Sequence, residues 1–372
     1  MNNTKCLSII ALLAASFGSP AMAEDPELSF GAHIFIDYEN ETINDQDVLD
    51  DTNLRLFRVD FGADYEGLSF RSSTDLQGDE INIRDLFLEF GGDFKVRIGN
   101  FKVMNGLEQS SSLYSTTFME GNSVSKINGF SRATGIAVFK SIGDFQLSGG
   151  VFGPDANIID ESDMYSASAR VSWAAQPFGE DSTLHLGSSF RYRDSNGSGF
   201  LSYGQRAFGR SGPKTISTAK VGESDTFIGL EAALLKGGFF AQSEWGTAQV
   251  QCGTGICPSD PHEDAWYVDV GYVWGGRRVI KNGLFKRTAV DNPATQGGFG
   301  AFALSARYDV ADLSDAGVIG GKQETAVLGL TWYRDKYIRL MANISHSDFE
   351  DSPTYGDGDA ETVLLRAQFE FY

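Results

Sequence analysis

The stretch WYVDVGYVW (266–274) alternates between two chemically different faces. One face is wholly apolar and the other mixes polar and small residues: Trp266, Val268, Val270, Tyr272 and Trp274 against Tyr267, Asp269, Gly271 and Val273. Side chains that alternate with a period of two are typical of a β-strand. The stretch therefore predicts a strand with one apolar face and aromatic residues at both ends.

The same alternation recurs along the chain, in segments of about ten residues. Clear examples are YSASARVSW (165–173), LHLGSSFRYR (184–193), FALSARY (302–308), YIRLMANIS (337–345) and VLLRAQFEFY (363–372). Strands of about ten residues with aromatic ends are typical of membrane β-barrels, although a soluble β-sandwich also alternates. In a bilayer every backbone group must be paired, so the sheet has to close. We therefore predict an all-β fold, a transmembrane antiparallel β-barrel.

Sixteen strands can be counted in this pattern. They are expected to start near Leu28, Leu54, Leu68, Ile81, Phe94, Ser131, Phe145, Met164, Thr183, Thr226, Gly238, Ala265, Phe299, Thr325, Lys336 and Thr362. An even number places both chain ends on the periplasmic side. Short links (66–67, 91–93, 141–144) then fall on that side and long ones (39–52, 102–130, 194–225, 248–264) outside, with 275–298 as a long inner exception.

The first 23 residues have the features of an export signal. Lys5 precedes the apolar run LSIIALLAASFG (7–18), and AMA (21–23) is a small-residue cleavage site. We expect a signal peptide at 1–23 and a barrel domain at 24–372, exported through the periplasm to a bacterial outer membrane. An uncleaved anchor is the alternative. The formal net charge of -20 argues against a nucleic-acid partner.

Two cysteines remain after cleavage at this site, Cys252 and Cys257 in QCGTGIC. An even pair in a glycine-rich loop of an exported protein favours a disulfide. The alternative is a metal site, but no histidine or third cysteine stands at ligand spacing. We expect neither a metal nor a cofactor.

Several stretches, in this order and spacing, resemble the phosphate-selective porin O and P family. They include RDLFLEFGGDFKVRIGNFKV (84–103), GLEQSSSLYSTTFME (106–120), GAFALSARYDVADLSDAGVIGG (300–321) and LGLTWYRDKYIRLMANISHSD (328–348). The resemblance implies a sixteen-stranded outer-membrane barrel, usually a homotrimer, with a loop folded into each pore. It also implies a path lined by arginine and lysine that conducts phosphate or other anions.

Basic residues on the polar strand phase should face the lumen, because an arginine facing lipid costs about 2–4 kcal/mol at mid-bilayer. Lumen-wall candidates are Arg58, Arg97, Arg170, Arg307, Arg339 and Arg366. Candidates for the anion path, in strands and loops, are Lys102, Lys126, Arg132, Arg191, Arg193, Arg206, Arg210, Lys214 and Lys220. We expect 102–130 to fold inward as the constriction. Wall salt bridges, or outer-loop cations that bind lipopolysaccharide phosphates, are the alternatives.

The function predicted from these features is a passive channel for small anions, with phosphate-type oxyanions favoured by the basic residues. The partners expected are those anions, outer-membrane lipid and lipopolysaccharide. A general or weakly cation-selective diffusion porin is the main alternative, and a barrel enzyme or a non-conducting structural barrel are others. The chain has four histidines and none lies in a nucleophile motif, so we expect no enzyme.

Overall fold

The computed structural model describes residues 25–78, 81–158, 164–197 and 201–372. The expected signal peptide at 1–23 lies outside these described residues. No helix in the described part of the chain combines the length and apolarity needed to cross a membrane.

Sixteen of the strands in the described residues form one closed antiparallel barrel. They are β1 (Glu27–Ile43), β2 (Gln46–Tyr65), β3 (Leu68–Asp75), β4 (Asn82–Gly91), β5 (Phe94–Lys102), β6 (Arg132–Ile142), β7 (Phe145–Phe152), β8 (Tyr165–Ala175), β9 (Ser182–Asp194), β12 (Gly222–Lys236), β13 (Phe239–Cys252), β14 (His262–Trp274), β17 (Ala301–Asp312), β18 (Lys322–Tyr333), β19 (Ile338–Ser352) and β20 (Gly356–Phe371). The predicted strand number is confirmed.

The last strand closes the barrel by pairing with the first. The β1–β20 register runs from Ala32 opposite Phe371 to Ile43 opposite Ala360. Closure leaves neither terminal strand as an exposed edge, which removes the aggregation hazard of an apolar edge strand. We call the end of the barrel at which β1 begins and β20 ends the inner end, and the opposite end the outer end.

Within the described residues, two further hairpins and two short helices occupy links between barrel strands. The outer hairpin is β10 (Gly204–Arg206) with β11 (Lys214–Ser217), and the inner hairpin is β15 (Gly276–Lys281) with β16 (Leu284–Val290). The inserted loop, 103–131, contains α1 (Leu107–Ser110), a 3-10 turn (Leu113–Ser115) and α2 (Ser123–Ile127). A second 3-10 turn, Ala294–Gln296, follows the inner hairpin.

The outward strand phase is exposed and the inward phase is buried, as alternation predicts. In β14, Trp266 and Val270 are 38% and 44% exposed, whereas Tyr267 and Asp269 are completely buried. Polar side chains are therefore buried inside the barrel. The inserted loop and the two hairpins, together called the inserted segments, cover them.

The prediction of a long outer link at 39–52 was wrong. β1 and β2 remain paired as far as Ile43 opposite Gln46, and Asn44 and Asp45 alone make the turn, both with positive φ. Backbone pairing continues beyond the apolar band, where polar side chains on both faces hide the alternation that marks a strand.

Candidate functional site

The inserted loop lies inside the barrel and is fixed to three distant wall strands. Glu244 of β13 accepts hydrogen bonds from the backbone N–H groups of Leu107 and Glu108, both at 2.9 Å. Asn343 of β19 accepts one from the Met119 N–H, and Asp309 of β17 accepts from the Ser123 N–H at 3.0 Å. Buried acceptors satisfy these loop amides, which would otherwise lose their water partners at a cost.

Local sequence sets the shape of this loop. Gly106 has a φ of 68°, a conformation that favours glycine, and it precedes α1. The Asn122 side chain caps α2 by accepting from the Ser125 N–H at 2.8 Å. Asn122 is itself held through the Glu108 carboxylate, which links the two helices.

The outer hairpin folds into the barrel from the outer end. The backbone N–H groups of Arg210 and Ser211 donate to the Glu39 carboxylate of β1, at 2.7 and 3.2 Å. Close approach also requires glycine, because a Cβ on Gly212 would lie 2.5 Å from the Glu41 carboxylate. This attachment uses backbone groups and leaves the Arg210 side chain exposed.

The inner hairpin enters from the other end and meets the inserted loop. The Phe285 N–H donates to Ser111 Oγ at 2.9 Å, and Ser115 Oγ donates to the Phe285 carbonyl at 3.3 Å. Arg278 is buried and donates to the Ser115 carbonyl at 3.1 Å. The long link predicted at 275–298 is therefore part of the barrel filling.

A cavity of about 880 Å³ remains between the β2–β6 wall, the inserted loop and the two hairpins. Three acidic residues line it, Asp60, Asp75 and Asp85. Ten basic residues line it, namely Arg55, Arg58, Arg71, Arg84, Arg97, Lys102, Arg132, Arg210, Lys286 and Arg287. The lining is thus locally basic in a chain whose formal net charge is -20.

Seven of these ten basic residues are paired with carboxylates. Arg58 and Arg84 lie 2.6 and 3.5 Å from Asp75, and Arg132 lies 3.0 Å from Asp85. The other pairs are Arg55 with Glu120 at 3.5 Å, Arg71 with Asp64 at 2.8 Å, Arg97 with Glu89 at 2.5 Å and Arg287 with Glu370. These pairs leave guanidinium edges in the cavity while compensating most of the wall charge.

Three cations of the lining have no carboxylate within 4 Å among the described residues: Lys102, Arg210 and Lys286. Lys102 Nζ donates to the backbone carbonyls of Gln109 and Ser111, at 2.8 and 2.5 Å. Arg210 and Lys286 are exposed and come from the outer and inner hairpins. The positive charge without a carboxylate partner is therefore carried mainly by the inserted segments.

The sequence candidates divide between the cavity and the filled part of the barrel. Lys102, Arg132, Arg210, Arg58 and Arg97 line the cavity. The others lie away from it: Lys126, Arg206, Lys214 and Lys220 in the inserted segments, and Arg170, Arg191, Arg193, Arg307, Arg339 and Arg366 on the wall. Five of these wall arginines bind buried carboxylates, as when Arg307 lies 2.7 Å from Asp269 and Arg366 lies 2.6 Å from Asp37, so they resemble the salt-bridge alternative. Arg193 with Arg191 binds Asp225, whereas Arg339 donates to Gln368 at 2.7 Å.

Five basic residues of the cavity lining were not predicted from the sequence, and two of these omissions have the same cause. Arg55 and Arg84 both lie at β-bulges, where the register skips one residue of β2 and of β4. A bulge places two consecutive side chains on similar sides, so a strict period of two assigns one of them wrongly. Arg71 follows the ordinary phase between Ser69 and Ser73 and could have been found. Lys286 and Arg287 required knowledge of the inner hairpin.

In the inserted loop, the pKa values of Glu120 and Lys126 depend on both burial and neighbouring charges. Burial raises the pKa of Glu120, but Arg55 and Lys126 outweigh it and hold this pKa below its usual range. Burial lowers the pKa of Lys126 despite Glu120 nearby. The Lys126 Nζ lies 3.8 Å from Glu120, so this lysine serves to hold the inserted loop.

The structure places a disulfide between Cys252 and Cys257, in the outer link after β13. Within the described residues there is no group of three or more histidine, cysteine, aspartate or glutamate side chains placed to hold a metal ion.

Comparisons with known proteins agree with this architecture. The chain is 28% identical over 320 residues to an uncharacterized protein of Caulobacter vibrioides, covering 81% of this chain and 63% of that relative's length. It is 24% identical over 314 residues to Porin O of Pseudomonas aeruginosa, covering 74% of this chain and 70% of the relative.

Two solved structures share the fold at low sequence identity. OmpT, an outer-membrane protein of Vibrio cholerae, has a TM-score of 0.59 at 13% identity, covering 95% of this chain and all of that one. The outer-membrane channel DcaP of Acinetobacter baumannii has a TM-score of 0.56 at 12% identity, covering 96% of this chain and all of that one.

The family model described as phosphate-selective porin O and P matches residues 28–372, which includes both inserted hairpins and all of the barrel strands except Glu27. The chain is an outer-membrane β-barrel and belongs to the phosphate-selective porin O and P family.

Proposed function

We propose that this barrel is a passive channel for small anions and that phosphate-type oxyanions pass through the basic cavity. Arginine suits this task because its planar guanidinium forms two hydrogen bonds to an oxyanion and stays charged. Weak contacts at several sites let an ion enter and leave again. The channel makes and breaks no bonds, so we also propose that it is not an enzyme.

The observation that carries this proposal is the charge of the cavity lining. Ten basic side chains face three acidic ones there, although acids outnumber bases in the whole chain by 50 to 30. Lys102, Arg210 and Lys286 have no carboxylate partner within 4 Å in the described part of the chain. An anion that enters the cavity can therefore bind without displacing a carboxylate.

The test is the reversal potential of single channels in planar bilayers across a potassium chloride gradient. We expect the potential to have the sign of chloride preference and phosphate to reduce the chloride current. A potential with the sign of potassium preference would reject the proposal in favour of a general or cation-selective porin. The acidic residues Asp45, Asp47 and Asp51 around the outer turn between β1 and β2 favour that alternative. A protein that inserts but shows no conductance steps would instead be a structural barrel.

Single substitutions locate the selectivity. Arg210→Ala and Lys286→Ala should each lower the chloride-to-potassium permeability ratio by roughly twofold, since a unit charge about 10 Å away in water is worth roughly 0.4 kcal/mol. Lys214→Ala in the same outer hairpin is the matched control, because Lys214 is exposed but does not line the cavity. Equal effects of all three would contradict the assignment.

The exposed surfaces of the barrel indicate which partners it meets in the membrane. We propose that the outward apolar strand phase contacts outer-membrane lipid and that Lys214 and Lys220 at the outer end meet lipopolysaccharide phosphates. One OmpT structure of Vibrio cholerae is described as a trimer form. We propose that this chain also forms a homotrimer, which light scattering of the protein in detergent would measure directly.

A further inference from the structure

The cavity is much larger than an inorganic oxyanion needs. A water molecule in the liquid occupies about 30 Å³. The cavity holds about 880 Å³, so a phosphate ion would fill a small part of it. Sites of about 300–1,000 Å³ in proteins are typical of organic ligands and are lined by apolar and aromatic side chains around a few polar groups.

Apolar side chains of three different elements line this cavity. Phe87 comes from β4, Leu113 and Tyr114 from the inserted loop, and Leu284 from the inner hairpin. All four are only partly buried, so each keeps surface that water must cover when the cavity holds an inorganic ion. Removing such surface from water is favourable, and a solute with an apolar body can do so.

The Phe87 and Tyr114 rings each lie next to a guanidinium. Arg97 is 4.3 Å from the centre of the Phe87 ring, and Arg287 is 5.4 Å from the centre of the Tyr114 ring. Both arginines also bind carboxylates, Glu89 and Glu370 respectively. Lys286, which has no such partner within 4 Å in the described residues, stands between Phe285 and Arg287 in the sequence. Positive charge and apolar surface are therefore adjacent within one cavity.

We infer that the cavity receives an organic anion whose oxyanion head is attached directly to an apolar or ring-sized body, as in an aryl or alkyl phosphate. The head meets Lys286 and the arginines, while the body covers Leu113, Leu284 and the ring edges. This inference rests on the proposed anion channel and names a substrate class for it. Inorganic phosphate satisfies the head and leaves the apolar lining in contact with water.

The test compares three probes as blockers of the chloride current in the whole protein, at about pH 8. The probes are phenyl phosphate, methyl phosphate and inorganic phosphate. We expect phenyl phosphate to half-block at a roughly tenfold lower concentration than the other two, because it alone covers the apolar lining. The double variant Leu113→Ser and Leu284→Ser should bring the phenyl phosphate value towards that of methyl phosphate.

One control variant and the reversal potential separate this inference from the proposed function. Ile256→Ser removes an exposed apolar side chain of the outer disulfide loop and should leave all three half-block concentrations unchanged. Equal half-block concentrations for the three probes on the unaltered protein would overturn the inference, while a chloride-preferring reversal potential in the same recordings would keep the anion channel. A potassium-preferring potential would overturn both.

Discussion

Arginines inside this barrel serve two purposes, which the nature of their partners distinguishes. Arg307 lies between Asp269 and Glu108, with no exposed guanidinium surface, and joins the β14–β17 wall to the inserted loop. Arg210 donates no side-chain hydrogen bond among the described residues and faces the cavity. A buried pair of the first kind fixes position, because removing either partner leaves an uncompensated buried charge. The second kind is available to a passing ion.

Glu244→Ala should loosen the inserted loop. The substitution leaves the N–H groups of Leu107 and Glu108 without their acceptor, and each buried unsatisfied group costs about 1–3 kcal/mol. We expect a lower thermal midpoint in detergent and noisier open-channel current. Glu263→Ala is the control, since that carboxylate is equally buried but has no hydrogen-bond partner among the described residues. A Glu244 variant with quiet, unchanged current would contradict this role.

Alkaline pH should weaken anion preference through Lys286. Partial burial, and secondarily the charge of Lys281, lowers the pKa of Lys286 below that of an ordinary lysine. Its positive charge is therefore present at neutral pH and is lost as the pH rises, earlier than for a free lysine. Reversal potentials measured from neutral to alkaline pH should show this decline, and Lys286→Arg should make it smaller. A decline of the same size in the arginine variant would assign the effect to another group.

At the scale of single residues, the sequence predicts which face of a strand a side chain lies on. It does not predict where a β-bulge shifts that pattern. Arg58 and Arg97 were assigned to the lumen from a period of two, and both line the cavity. Arg55 and Arg84 were missed because each occupies a bulge, and a bulge depends on hydrogen bonding to the neighbouring strand. No residue type marks that position in the chain itself.

The elements that fill the barrel are attached mostly by their backbones. The inner hairpin uses the N–H and carbonyl of Phe285, and the outer hairpin uses the N–H groups of Arg210 and Ser211. Such attachment leaves side chains such as Lys286 and Arg210 free to change the cavity without changing how the hairpin is held.

Replacing 277–289 by two glycines should widen the pore and weaken its selectivity. The deletion removes Lys286, Arg287 and the apolar Leu284 and Phe285 from the cavity, while the barrel strands β14 and β17 stay intact. We expect larger single-channel conductance and a smaller chloride preference. The control is Lys286→Ala with Arg287→Ala, which removes both charges and keeps the hairpin. If the deletion and the control have the same conductance, the hairpin does not narrow the pore.

Elements that cross the membrane were predictable, and the loop at 102–130 was expected to fold inward, but the inner hairpin was not predicted. A strand such as β14 has lipid on one side and a packed interior on the other, so its sequence alternates. The inner hairpin is surrounded by barrel and loop, and its β15 reads GRRVIK without a consistent apolar face. The link at 275–298 was therefore recognised only by its length and its basic residues.

The whole molecule separates its charges by location. Acidic residues accumulate in the turns of the outer end, as with Asp45, Asp47 and Asp51, while basic residues line the cavity. Barrel class, strand number and closure were all predictable, because sixteen repeats of one pattern make single errors in strand bounds unimportant. The position of the cavity was not predictable, because it depends on which side of the lumen the inserted segments leave empty.

The acidic outer turn should oppose anion entry, and it should do so at low salt only. Fields of exposed charges extend over a Debye length, about 30 Å at 0.01 M salt and about 3 Å at 1 M. At low salt the field of Asp45, Asp47 and Asp51 therefore reaches an approaching anion, whereas at high salt counterions screen it. The triple variant to asparagine should raise chloride current at 0.01 M and leave it unchanged at 1 M.

Asparagine is a suitable replacement because it tolerates the left-handed backbone that Asp45 adopts, with a φ of 60°. Asp93→Asn at the inner end is the control, and it should not affect anions that enter from the outer end. The measurement is single-channel chloride current against salt concentration, with channels inserted in one orientation. An increase that persists at 1 M would mean that the turn acts by obstructing the entrance, and an absence of change at 0.01 M would mean that the cavity alone sets the field an entering anion meets.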